Sequence, residues 1–376
     1  MQHIAIPEAG TDALPITLRL CRDRDGGFPL TEEALSPSDF ADICDEFWLN
    51  RFLRHGQADV GMNDLTIRVR PVSAVDAVDR YTGLVLEGEL TASEVRKSTF
   101  SVYAFSLAAS RASKRLFDEG SLKTGDNYFY ELALPKHEVA TSRECVWPVT
   151  VPSAPDAPVC ASLSIRKLMD HATSLDELHA SDAVPVFFTR ESYDAAERFS
   201  RRGAKENPPV ESGAILIGSP CACPDTGEFF IIVFECLEVR DSEEKTFSLG
   251  LTSRSWTRIH AVMKQRQKFP ATQTHCIVGQ AHGHNFLPGN GKTCAACQQR
   301  ERCDFDNVFT SEDDRIWMRC VFVHTPWQLC GIFGLTARGD NVAGMFGLID
   351  GRLQRRSFYL VDELDRETKG TLGLLN

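Results

Sequence analysis

Two histidines one residue apart, His282 and His284, close the apolar run "HCIVGQAHGHNF". The run has the composition of a buried strand, and side chains alternate faces along a strand, so both imidazoles point the same way. Such a pair either finds two polar partners in the core or holds something between its rings. Two other polar groups bracket it in the sequence. Upstream, Glu211 heads "ESGAILIG"; downstream, "FTSEDDRIW" carries Ser311 and Asp314. Ser-x-x-Asp is also close to the spacing of a helix-capping box, with Ser311 accepting from backbone amides. Glu211 read alone is a solvated strand end, and Asp313 competes with Asp314 one position away. A second cluster, Cys294-x2-Cys297 followed by Cys303, has the short spacing of a structural zinc site with one ligand still to be found.

The elements that must position these residues follow from the apolar pattern. "AVPVFFTRESYDAAERFSRRG" reads as a strand fragment leading into a helix. "ESGAILIGSP" and "EFFIIVFECLEV" are two strands joined by "CACPDTG", a turn rich in Pro, Asp and Gly. "LTSRSWTRIHAVMKQRQKFP" is a helix with Trp256, Ile259 and Met263 on one face, and the histidine strand comes next. Residues 1–146 read as a separate α+β domain. Its strands fall at 14–20, 64–72, 81–90 and 127–135. Its helices are "SPSDFADICDEFWLNRFLRH", with Phe40, Ile43, Cys44 and Phe47 in helical register, and "TFSVYAFSLAASRASKRLFDEG", closed by Gly120. Four prolines in "WPVTVPSAPDAPV" mark an extended linker, so 147–183 is read as linker and short helix, and 184–376 as the second domain. The expected class is α+β, with a mixed sheet flanked by helices in the C-terminal part.

Bulk properties exclude other classes. The chain has 376 residues, 43% hydrophobic and 25% charged, room for two cores. A net charge of −11 argues against a general nucleic-acid binder. No apolar run is long enough for a membrane span, and the N-terminal residues lack a basic-then-apolar leader. Thirteen cysteines, an odd number with several inside apolar strands, suit free thiols in a reducing cytoplasm.

In order and in kind of element, Glu211, "SGAILIG", His282, His284, Ser311 and Asp314 resemble the JAMM motif of the JAB/MPN family of zinc metalloproteases. The resemblance covers roughly residues 184–350. It implies that His282, His284 and Asp314 are zinc ligands, leaving the fourth position to water, as in catalytic zinc sites. It also implies Glu211 as general base and Ser311 as donor to the oxyanion of the tetrahedral intermediate. The substrate implied is the amide or isopeptide bond after the C-terminal tail of a ubiquitin or ubiquitin-like protein, bound by β-augmentation. The alternatives are a non-catalytic MPN scaffold and a hydrolase of a small or sulfur-carrier amide. An extra N-terminal domain resembles bacterial members encoded beside ubiquitin-like conjugation systems, some linked to antiviral defence. Partners implied are the ubiquitin-like protein, its conjugates, and the activating or conjugating enzymes of that pathway, with no nucleic acid and no membrane.

The sequence departs from the family pattern in three places. His-Ser/Thr-His-Pro is here His282-Gly283-His284-Asn285, and Gly-Gly after the glutamate is Gly213-Ala214. Where the family has seven residues between the second histidine and the serine, this chain inserts residues 285–310, "NFLPGNGKTCAACQQRERCDFDNVFT". Both ends of the insertion carry site residues, so it must rise beside the site. Cys294, Cys297 and Cys303 within it are the candidate ligands of a second, structural zinc.

Overall fold

The structure is a computed structural model describing residues 16–23, 28–35, 39, 67–73, 80–91, 94–133, 159–176, 184–246, 248–286, 297–321, 325, 327–349 and 352–375. The helix expected around Phe40, most of the Pro-rich segment and Cys294 lie outside these residues.

In the N-terminal part, β1 (Thr17–Cys21), β2 (Thr31–Ala34), β3 (Ile67–Ser73), β4 (Arg80–Thr91), β5 (Glu94–Ser101) and β6 (Phe129–Ala133) form a six-stranded antiparallel sheet. Its order is β2-β1-β6-β4-β3, with β5 on β4. Helix α1 (Ser106–Asp118) buries Ala108, Ala109, Ala112 and Leu116, a stripe of helical period, and Gly120 follows it at φ 77°. The helix begins later than the spacing predicts. Residues 94–101 pair with β4 along its length, and a 3₁₀ turn at Val102–Phe105 separates this strand from α1. Thr99 and Phe100 suit a pleated surface, and that pairing outweighs the helical spacing.

The C-terminal part is built on a ten-stranded mixed sheet. Its strands are β7 (Ala161–Ser162), β8 (Ala172–Ser174), β9 (Val186–Thr189), β10 (Gly213–Ala222), β11 (Phe229–Glu238), β14 (Cys276–Gly283), β15 (Leu329–Leu335), β16 (Asn341–Ile349), β17 (Arg352–Arg356) and β18 (Phe358–Val361). The order is β17-β16-β15-β14-β10-β11-β9-β18-β8, with β7 on β10. A hairpin, β12 (Glu243–Lys245) and β13 (Ser248–Gly250), stands apart as a two-stranded sheet. The helices are α2 (Ile165–Met169), α3 (Arg190–Ser200), α4 (Ser253–Arg266), α5 (Glu312–Val321) and α6 (Arg366–Thr371). Strands β7 and β8 fall in the stretch read as linker and short helix, so the larger sheet recruits chain from residue 161 onward.

Helices cover both faces of the central strands, which explains their almost continuous apolar sequence. Ala214, Leu216, Val278 and Ala281 share a core with Ala196 of α3. The alternate residues Ile215 and Ile217 pack with Ile259 and Met263 of α4. The core on the α3 side continues into the N-terminal sheet through Leu18, Leu20, Phe100 and Phe105. No described helix is long and apolar enough to cross a membrane.

Candidate metal centre

Sheet register brings the glutamate to the histidines. β10 runs antiparallel to β14 with Gly213 opposite His282, and the Gly283 N–H donates to Ser212 O at 3.0 Å. Continuing that register outward sets Glu211 across from His284. The Glu211 carboxylate lies 3.9 Å from His284 Nε2, and the two imidazole Nε2 atoms lie 3.3 Å apart. β15 lies parallel on the other side of β14, with Ile332 opposite His282 and Cys330 opposite Gln280. Asp314 comes from the first turn of α5, and its Oδ1 lies 3.4 Å from His282 Nε2. Glu211, His282, His284 and Asp314 are all buried. Asp313, the rival aspartate, is exposed.

Ligand atoms fall into two overlapping triads, within each of which every pair is no more than 4.8 Å apart: Glu211, His282 and His284, and His282, Asp314 and Cys330. His282 belongs to both. Ligands around a tetrahedral zinc with arms of ~2.0–2.1 Å stand about 3.3–3.4 Å from one another. The His282–His284 and His282–Asp314 separations both match that edge, whereas His284 and Asp314 fall in different triads, so the expected set of His282, His284 and Asp314 is not brought together as one group. Cys330 was not anticipated from the sequence. Inside "WQLCGIFGL" it looks like any small core residue, and only the β14–β15 pairing places it beside the site.

Asp314 is held by a reciprocal cap. The Ser311 backbone N–H and Oγ–H both donate to Asp314 Oδ2 at 2.8 Å, and the Asp314 N–H donates back to Ser311 Oγ at 3.1 Å. This satisfies donors at the start of α5 and leaves Oδ1 facing His282. The only hydroxyl hydrogen of Ser311 is directed at the aspartate, so here the serine positions Asp314.

The state of His284 is set by the insertion. Its Nδ1 lies 2.6 Å from the Asn307 carbonyl oxygen, which can only accept, so Nδ1 carries the proton and Nε2 is left with a lone pair. Burial, followed by the neighbouring His282, pushes His284 down to about 4, with the Asn307 hydrogen bond opposing. The ring is therefore neutral at pH 7, the form in which imidazole binds metal. This donor set fits a divalent ion.

Asn307 is fully buried and was not singled out by its sequence. Its Nδ2 donates to His284 O at 3.1 Å and also to Phe286 O, while its Oδ1 accepts from the Leu335 N–H. It ties the returning limb of the insertion to the ends of β14 and β15. Asn307→Ala is expected to lower stability by roughly 2–4 kcal/mol, because it removes three hydrogen bonds, one to a buried and two to part-buried backbone groups. Urea denaturation of the variant checks this.

Two departures from the family pattern have local causes. A Cβ on residue 283 would lie 2.0 Å from Ser200 O, so the C-terminus of α3 can approach only a glycine there. The Asn285 Nδ2 donates to Ser200 O at 2.9 Å and to Val210 O at 2.8 Å, bonds a proline could not make. α3 is thus clamped directly against the histidine strand.

The described ends of the insertion, Phe286 and residues 297–310, lie beside the site. The rings of Phe286 and Phe309 lie 5.4 and 5.0 Å from the His284 ring, and Phe305 and Phe309 are exposed. Arg300 donates to the Ala337 and Arg338 carbonyls, holding the limb against the β15–β16 turn. Cys297 is exposed and Cys303 half-buried, both as free thiols. With Cys294 outside the described residues, the expected Cys294/Cys297/Cys303 site is not delineated.

Burial, reinforced by Asp314 and then Asp313, pushes Glu211 up from 4.5 to about 8. In metal-free protein the native state therefore holds this proton more tightly than the unfolded chain does. Raising the pH across that window then favours unfolding, so the contribution is complete below 4.5 and gone above about 8. Chelated protein is expected to lose urea resistance as pH rises from 5 to 8, as buffers would show, and Glu211→Gln should flatten the curve.

No family model matches the chain, and no curated protein matches it. Among solved structures it is similar to the solution structure of protein DSY2949 from Desulfitobacterium hafniense, at 14% identity and a TM-score of 0.31. That match covers 49% of this chain and 97% of the other.

Proposed function

We propose that this protein is a metal-dependent hydrolase of the JAB/MPN kind. In this reading it cleaves the amide or isopeptide bond after the C-terminal tail of a ubiquitin-like protein. The observation that carries the proposal is the meeting of Glu211, His282, His284 and Asp314 in one buried cluster, from three separate stretches of chain. Zinc held there by His282, His284 and Asp314 would supply Lewis acidity, activating water and polarising the scissile carbonyl.

The chain's own residues do the rest. Glu211, whose ionised form a cation bound beside it would favour, would take a proton from the attacking water and pass it to the leaving amine. Asn307 keeps the His284 lone pair aimed inward. Ser311 orients Asp314; to serve an oxyanion its hydroxyl would swing from Asp314 Oδ2 to the substrate oxygen. The β12–β13 hairpin stands next to the base, with the Glu211 N–H donating to Lys245 O at 2.7 Å. An extended tail added to that hairpin would pass the cluster.

The test is side-by-side incubation with ubiquitin-like fusions and with small amide substrates, with and without chelator. Chelator-sensitive release of the fusion partner supports the proposal. Turnover of small amides alone would move the substrate class to a small or sulfur-carrier conjugate, and no turnover of either, with no bound metal, would favour a scaffold.

A further inference from the structure

We infer that Cys330 is a metal ligand, and that the centre has a second, deeper seat formed by His282, Asp314 and Cys330. The inference rests on the metal-dependent reading above and concerns the triad on the inner side of His282. Cys330 sits opposite Gln280, two residues before His282 on the same face of the sheet. That places its sulfur one pleat below the imidazole, about 6–7 Å along the strand direction at Cα level. The side chains close that gap, for the Cys330 sulfur, an Asp314 oxygen and a His282 nitrogen all lie within 4.8 Å of one another.

The surroundings favour a ligand over a packing thiol. Cys330 is wholly buried, and on one side it packs with Val308, Met318, Ile332 and Phe346. On the other side it meets polar groups: Asp314, His282, and the Gln280 Nε2 that donates to its sulfur at 3.7 Å. The Cys330 sulfur, the Asp314 carboxylate and the His282 imidazole thus face one another as a buried set of donors of the kinds a transition-metal ion takes. When the sulfur ligates, the thiol proton leaves to solvent with the water it displaces, so the ion keeps its charge and gains a thiolate.

The two seats differ in what they can do. Glu211 and His284 belong to the outer triad only. An ion drawn inward exchanges His284 for sulfur and moves away from the base, which makes the deep seat a resting state. A thiolate donor also selects thiophilic ions such as zinc and cobalt over magnesium or manganese.

Cobalt substitution tests this without an activity assay. Full-length protein is stripped with chelator, loaded with one equivalent of Co²⁺, and its near-ultraviolet absorption recorded. The expected result is a thiolate-to-cobalt charge-transfer band that is lost in Cys330→Ser and Cys330→Ala and kept in Cys297→Ser. His284→Ala is expected to keep the band as well, since the deep seat does not use that ring. Equimolar cobalt binding in the parent with no such band overturns the inference and leaves the metal-dependent reading standing. A band that survives Cys330→Ser and disappears in Cys297→Ser overturns it too, assigning the sulfur to the insertion. Failure of the parent to bind cobalt at all defeats both readings.

Discussion

Glu211→Gln is expected to bind metal like the parent and to lose hydrolysis by ~10²–10⁴-fold, the usual worth of a positioned general base. The amide fills the same space beside His284 and removes only the ability to take a proton. Burial of Glu211 supports a clean result. Glu211 is 6% exposed and its backbone N–H is held by Lys245 O, so the isosteric change should leave the fold unaltered. Replacing a group that burial penalises when charged should if anything stabilise the metal-free protein above neutral pH. A loss of activity together with a loss of metal would instead mean that Glu211 is a ligand, the arrangement its 3.9 Å approach to His284 also permits.

His282→Ala is the second large effect. His282 alone belongs to both triads, so its removal takes a donor from either seat. Metal affinity should fall well beyond the ~10–100-fold typical of changes around a ligand, and occupancy measured by elemental analysis should drop by one equivalent relative to the parent. Comparison with His284→Ala separates the seats. His284→Ala leaves His282, Asp314 and Cys330 intact and is expected to retain bound metal while losing hydrolysis. Equal loss of metal in the two variants would argue for one seat rather than two.

Much of the site could be read from residue order. Alternation along "HCIVGQAHGHNF" put both imidazoles on one face, and the structure places their Nε2 atoms 3.3 Å apart. The capping-box spacing of Ser311 and Asp314 proved compatible with a site role, because one carboxylate oxygen caps while the other faces His282. Cys330 and Asn307 were invisible for different reasons. Cys330 reaches the site through a parallel pairing whose register no local pattern specifies. Asn307 meets the His284 ring through its backbone carbonyl, which any residue possesses, and its side-chain bonds depend on where the insertion returns to the sheet. The helix start after β5 was misplaced because helical spacing in "TFSVYAFS" coexists with a cross-strand register only the sheet reveals. Gly283 and Asn285 look like weakened motif positions in sequence; in the fold both answer the close approach of Ser200.

The central claim is that these buried side chains share one divalent ion on which hydrolysis depends. Its most direct test is a cleavage assay on a ubiquitin-like fusion with one preparation in three states: as purified, stripped by chelator, and restored with one equivalent of zinc. The account predicts cleavage, none, and cleavage regained. Undiminished cleavage by protein shown to be free of metal would contradict it.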